Sequence, residues 1–259
     1  MKDLILKYFD AFANLYGIIP MKRAYRIIEK QNPELNITKE RFAEVVNSLN
    51  MDGKFYYILS EDEVYDENAK DCDLFEKLLI AEYVLTFDDP EDYEKLVDEQ
   101  GDRPFYIPEK DELLKYEDDF YYEKTKHNYN LENYLIDEFG IPNSEEIVED
   151  FEGMLKIDEP ELDYVITDLK RMGRPKFKDF ANKEQAKKFF MLYTDLRNHT
   201  RKHTHRGHTP FELDDCYTVD YILEDGMPFE LNTPSKNGKC PCGSGKKFKR
   251  CCMGKGIYD

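Results

Sequence analysis

Apolar residues recur at helical spacing from the start of the chain. Leu4, Ile5, Tyr8, Phe9, Phe12 and Leu15 share one face of a helix over residues 3–16, and Gly17 ends the run. Pro20 opens a second helix with Ala24, Tyr25, Ile27 and Ile28, which ends before Pro33. Thr38 caps a third, with Phe42, Val45, Val46 and Leu49 on one side. After Asp52-Gly53 the pattern changes to the β-prone run Phe55–Leu59, then an acidic turn from Ser60 to Glu63, then Val64-Tyr65. Three helices followed by a hairpin predict a winged-helix-like unit over residues 1–68.

From about residue 70 to 200 the helical period dominates. The expected helices are Asp73–Thr86, Pro90–Gln100, Glu109–Lys124, Leu131–Phe139, Ser144–Lys156, Pro160–Arg171 and Lys183–Thr200, with Pro, Gly or Asn at nearly every boundary. Residues 174–180 form a basic link, and a short strand is expected around Tyr217–Ile222. Residues 232–239 (NTPSKNGK) have linker composition. The fold class that follows is mainly α: the winged-helix-like unit, an acidic helical body over residues 69–231, and a small C-terminal tail over 232–259.

Composition limits the function classes. Nineteen Tyr and 17 Phe are too many large apolar groups for a disordered acidic chain. No apolar run approaches the ~20 residues of a membrane span. The N-terminal stretch MKDLILKYFDAFANLYG carries charges through its apolar positions and has no small-residue cleavage site, so it does not read as a signal peptide. A cytoplasmic location is therefore expected. The net charge of −18 is unevenly divided. Residues 1–60 hold 9 basic against 7 acidic side chains, residues 61–170 hold 10 against 37, and residues 171–259 hold 18 against 11. The acidic centre repels nucleic acid, while the basic last third can meet an anionic partner.

The sharpest chemical signal lies in that last third. Cys240, Cys242, Cys251 and Cys252 fall within thirteen positions as CxC, an eight-residue spacer and CC. Such spacing offers four thiolates to one tetrahedral ion at roughly 2.3 Å each. Pro241 stiffens the first pair, and Gly243 and Gly245 permit turns that aim amides at sulfur. Lys246 to Arg250 suit a short helix returning Cys251 and Cys252 to the metal. The tail is basic, and its cations (Lys246, Lys247, Lys249 and Arg250 among them) lower thiol pKa values and leave candidate contacts for an anion or a partner. Paired disulfides need an oxidising compartment, and a redox site more commonly shows CxxC, so structural Zn2+ is the favoured reading.

The stretch CPCGSGKKFKRCC resembles the SEC-C motif, the zinc-binding tail first recognised at the C-terminus of the SecA preprotein translocase ATPase. The resemblance covers about fourteen residues. It implies Cys240, Cys242, Cys251 and Cys252 as ligands, with Cys252 in a place that His often fills. In that family the module contacts protein partners, including an export chaperone and the ribosome. No GxxxxGK[ST] loop precedes it, so translocase activity is not implied. Arg206-Gly207-His208-Thr209-Pro210 is similar to stretches in SEC-C-bearing proteins of Gram-positive bacteria, which implies no activity.

Four of the five histidines lie in the run from His199 to His208. His199 and His203, at i and i+4 on a possible helix end, are candidate ligands for one shared metal ion, although no HExxH motif is formed. The residues favour a structural reading, in which His and Arg satisfy carbonyls at a helix end and in the turn after it. Contact of Arg201, Arg206 and His208 with nucleic acid or phosphate is the leading functional alternative. The third helix offers Lys39, Arg41 and Asn47, but Glu40 and Glu44 interrupt them, and Glu61-Asp62-Glu63 puts the wrong charge at a wing tip for DNA. The acidic pairs read as solvated faces, and Cys72 and Cys216 as small buried hydrophobes. The function expected is a non-enzymatic zinc-binding interaction protein whose tail docks on a protein or ribonucleoprotein. A nucleic-acid-binding regulator is the alternative.

Overall fold

The computed structural model describes residues 1–66, 68–85, 90–157, 160–218 and 246–250. Among them are ten α-helices and one three-stranded sheet, so the protein is mainly α. Its contacts divide into two compact units. The first comprises Met1–Tyr122 with residues 156–158 and Arg201–Thr209; the second comprises residues 123–155, 159–200 and 210–259.

The first unit begins with α1 (Lys2–Tyr16), whose Ile5, Tyr8, Phe9, Phe12, Leu15 and Tyr16 are all buried. Gly17, at φ +70°, turns the chain into β1 (Ile18–Pro20), and α2 (Met21–Gln31) follows at once. Next come α3 (Lys39–Asn47), β2 (Tyr56–Leu59), α4 (Glu61–Tyr65) and β3 (Leu78–Ala81). The strands are antiparallel in the order β1-β3-β2, with Ile80 opposite both Ile18 and Tyr57. Two further helices, α5 (Glu91–Gln100) and α6 (Lys110–Leu113), complete this unit. Phe9 meets Phe42 and Tyr56 edge-on at 6.3 and 6.2 Å, which ties α1 to α3 and to the sheet. Each such aromatic contributes about 1.5–3 kcal/mol of burial, and edge-to-face pairing adds to it.

Three expectations from the sequence change here. The segment after β2 is not the second strand of a hairpin. Ser60 accepts from Glu63 N at 3.2 Å while Glu63 Oε2 accepts from Ser60 N at 2.7 Å, a capping box that starts α4 and places Val64 and Tyr65 in a helix. Strand partners come instead from Leu78–Ala81, which the sequence reading placed in a 73–86 helix. Its short continuous apolar run is compatible with either state, and hydrogen bonding to two neighbours decides for the strand. The expected 109–124 helix also shrinks to α6 and a 3-10 turn over Leu114–Glu117, because Asp118 Oδ1 accepts from Phe120 N at 3.0 Å and turns the chain.

The second unit is built from α7 (Lys126–Phe139), α8 (Ser144–Ile157), α9 (Leu162–Met172) and α10 (Lys183–His199). Thr125 and Asn182 cap α7 and α10, and Gly140 in the left-handed region ends α7. Leu131 and Leu135 of α7 pack in one core with Phe151, Leu169, Phe189, Phe190 and Tyr193. Tyr217 and Thr218 are not in a strand, and the rest of the expected 217–222 segment lies outside the described residues, as does the 232–239 linker.

Gly17 shows how tightly the first unit closes. A Cβ there would sit 2.8 Å from Tyr83 Oη and 3.2 Å from His203 Nδ1, in a backbone conformation that L-residues avoid. Gly17→Ala is expected to lose more than about 1 kcal/mol, read as a lowered urea midpoint; a wild-type midpoint would contradict the packing described.

Candidate functional site: the basic tail and the histidine clusters

Cys240, Cys242, Cys251 and Cys252 lie outside the described residues. What is described between the two cysteine pairs is Lys246–Arg250. Phe248–Arg250 form a 3-10 helix, closed by Arg250 N donating to Lys247 O at 2.8 Å. Lys246, Lys247, Lys249 and Arg250 are all exposed. The donor set fits zinc by its chemistry: four thiols beside a cluster of cations that favour the thiolate, with a helical turn in the spacer. A bound ion would fold so short a segment with roughly 10–16 kcal/mol of binding energy.

The histidine-rich run is split between the two units. Arg201–Thr209 belongs to the first, where Arg206 (φ +50°) and Gly207 (φ +82°) make its bend. Arg206 donates to the carbonyls of Arg103 at 2.6 Å and Gly101 at 2.5 Å, and its guanidinium lies 4.7 Å from the Phe105 ring. Arg201 lies 3.5 Å over the Tyr106 ring and donates to Gly207 O at 3.1 Å. His208 meets the same Tyr106 edge-on at 5.6 Å. Gln100 Nε2 donates to both Tyr16 O and His203 O, at 2.8 and 3.0 Å. These three candidate contact residues are thus engaged with carbonyls and aromatic faces inside one unit.

His203 is buried, and its partners fix its tautomer. Asn14 O can only accept, so Nε2–H donates to it at 2.9 Å, and Nδ1 is left to accept from Tyr83 Oη, whose ring stacks on the imidazole. Burial, with the Lys156 charge behind it, pushes its pKa down to about 3.

His203 belongs to the first unit; His199 ends α10 in the second. Its neighbour is His127, the histidine outside the cluster. The two rings stack at 3.6 Å between centroids and 11° between planes, and Phe211 stacks on His199 at 4.8 Å. Asp195 joins them: His127 Nδ1 donates to its Oδ2 at 2.6 Å, and His199 Nδ1 to its backbone carbonyl at 2.8 Å. Each of the three offers a ligand atom, all within 4.8 Å of one another. Sequence spacing gave no sign of His127, which is 72 positions from His199. The one local clue was Asp195 at i−4 from His199.

The lone cysteines also differ from expectation. Cys216 is exposed and Cys72 partly so, since each lies in an irregular segment rather than a core helix. The Cys216 thiol is pushed up by desolvation and then by Asp214 and Asp215, which disfavours a nucleophilic thiolate. No described helix is long and apolar enough to cross a membrane.

Comparison with known proteins places the tail first. Residues 237–254 match the SEC-C motif, so the chain carries that motif at its C-terminal end. Curated relatives include the protein translocase subunit SecA of Wolbachia pipientis, 27% identical over 97% of this chain but 26% of the relative. SecA of Endomicrobium trichonymphae is 31% identical over 29% of this chain and 10% of its own. A UPF0225 protein of Enterobacter is 50% identical over 36 residues, which are 12% of this chain and 24% of that protein. The chain spans about a quarter or less of the translocase subunits it matches. No solved structure matches it.

A pH dependence follows from His203. The folded pKa is depressed, so the unfolded chain takes up the proton first. Stability is full above pH ~6.5 and falls by up to about 1.4 kcal/mol per pH unit as pH drops from there toward 3. His203→Gln is expected to flatten that slope between pH 6.5 and 5 in denaturant melts. An unchanged slope would place the titrating group elsewhere.

Proposed function

We propose that this is a non-enzymatic interaction protein whose zinc-holding tail docks on a protein or ribonucleoprotein surface. The observation that carries the reading is the SEC-C match at residues 237–254, together with four exposed cations on the spacer between its cysteine pairs. In this reading Cys240, Cys242, Cys251 and Cys252 hold one Zn2+ as a closed structural site. The ion supplies folding energy and a rigid frame rather than a reactive water. Lys246, Lys247, Lys249 and Arg250 then present a fixed basic face to an anionic or acidic surface. Relatives named as protein translocase subunits support a protein partner as the first class to test, and the cytoplasm as its location.

The body supports the same reading through the limits it sets. Its winged-helix-like unit takes support from the helix-strand-helix-helix-strand order and the β1-β3-β2 sheet. That topology also favours the second reading, a nucleic-acid-binding regulator. Charge weighs against it. On α3 Arg41 pairs with Glu44 at 3.0 Å, Lys39 lies 5.5 Å from the Phe75 ring, and Glu61, Asp62 and Glu63 occupy the first turn of α4. A DNA reader presents cations to phosphate with few acids between them.

Two measurements separate these readings. Near-stoichiometric zinc is expected in the wild-type chain, with its tail equivalent lost from the Cys240→Ser and Cys252→Ser variants. Zinc that survives both changes would reject the site. Affinity purification with and without residues 236–259 should change the set of co-purifying proteins, and an unchanged set would reject the docking role. A gel shift on nucleic acid that weakens steeply with salt, and does not depend on the tail, would favour the second reading instead.

A further inference from the structure

We propose that the open edge of β2 docks an extended, basic peptide segment of a partner protein, which joins the sheet as a fourth strand. The site lies in the first unit and uses no part of the cysteine tail.

The hydrogen-bond pattern carries the assignment. In an antiparallel ladder only alternate residues exchange bonds with a given neighbour. Glu82 N donates to Phe55 O at 2.8 Å, which fixes the phase: Phe55, Tyr57 and Leu59 bond to Glu82, Ile80 and Leu78. The residues of β3 between these serve β1, since Ala81 N donates to Gly17 O at 2.7 Å. The N–H and C=O groups of Tyr56 and Ile58 therefore point away from the sheet. They have no hydrogen-bond partner among the described residues. An edge of this kind is a ready template for another strand.

There is room for one. A cavity of about 840 Å³ is lined by all four residues of β2, by the end of α3 with Leu49 and Met51 after it, and by residues 71–74. Successive strand residues turn to opposite faces, so a cavity that touches all four follows the edge rather than one face. Its volume lies in the range of ordinary binding pockets. Phe55, at the start of the strand, is 63% exposed and offers an apolar contact.

Charge selects the occupant. Lys54 and Lys77 line the cavity but are already engaged: Lys54 with Asp10 at 2.6 Å, and Lys77 with Asp71 at 2.6 Å and Glu63 at 3.1 Å. Asp73 and Glu82 line it too, and neither has an ion-pair partner among the described residues. Glu61 and Asp62 follow the strand in the first turn of α4. The unneutralised charge is negative, which suits Lys or Arg alternating with apolar residues on the incoming strand. A second copy of this edge would instead set acid against acid. In strand addition the main-chain bonds supply affinity and the alternate side chains supply specificity.

The test is fluorescence polarisation of the full chain with a labelled eight-residue peptide alternating lysine and valine. Wild type should bind it at least tenfold more tightly than the glutamate-valine peptide, and less tightly as salt rises. Methylating the peptide's backbone nitrogens keeps its charges and side chains but removes its donors, and should abolish binding. Ile58→Pro removes an outward N–H without taking a bond from β3, and should cost at least tenfold, whereas Ile58→Val should retain binding. Circular dichroism checks the fold of both. Asp73→Asn with Glu82→Gln should weaken binding several-fold and flatten its salt dependence. A wild-type chain that does not distinguish the two peptides would overturn the proposal, as would binding that survives backbone methylation or a folded Ile58→Pro variant. A wild-type dimer that Ile58→Pro makes monomeric would assign the edge to a second copy instead. Tenfold tighter peptide binding on removal of residues 236–259 would assign it to the chain's own tail.

Discussion

The first unit depends on matching the polar groups that Arg201–Thr209 brings into it. Lys202 and His203 are each 2% exposed, and a buried polar group without a partner costs about 1–3 kcal/mol. Partners therefore have to be in position. Asn14 O and Tyr83 Oη meet the two nitrogens of His203, Gln100 joins Tyr16 O to His203 O, and Arg206 takes two carbonyls from the segment after α5. Gly207 permits the contact itself, since a Cβ there would lie 2.9 Å from the Tyr16 ring. The unit that begins as three helices and a small sheet is thus completed by residues almost two hundred positions later. Closing so long a loop costs conformational entropy, and the buried hydrogen bonds and aromatic contacts offset it.

That closure explains which parts of the fold could be read from sequence. Helices α1, α2, α3 and α7 to α10 follow a 3.6-residue period with caps such as Thr38 and Asn182, because each buries one face and exposes the other. Leu78–Ala81 has no such period. It is buried between two strands, so its pattern cannot separate strand from helix. Val64 and Tyr65 lie in a helix because Ser60 is an N-cap rather than a turn residue, and Glu63 three positions on is the capping-box signal. The partner of His199 depends on how α7 packs against α10, which no local pattern encodes. The four tail cysteines are the opposite case: their spacing is legible in the sequence as the motif that residues 237–254 match.

Charge gives the two ends different work. The acidic centre disfavours phosphate, and the basic tail concentrates the opposite sign in a few residues. In the proposed reading a metal–thiolate frame would fix those cations with little help from a hydrophobic core. The engaged state of Arg201, Arg206 and His208 sharpens the contrast. Their cationic and imidazole groups serve the fold of the first unit, whereas Lys246, Lys247, Lys249 and Arg250 are exposed.

The central claim is that the tail is a four-thiolate zinc site presenting this basic face. Zinc-edge X-ray absorption on the intact chain loaded with one equivalent tests it most directly. The account predicts a single shell of about four sulfur atoms near 2.3 Å. A shell of nitrogen or oxygen alone, near 2.0–2.1 Å, would contradict it.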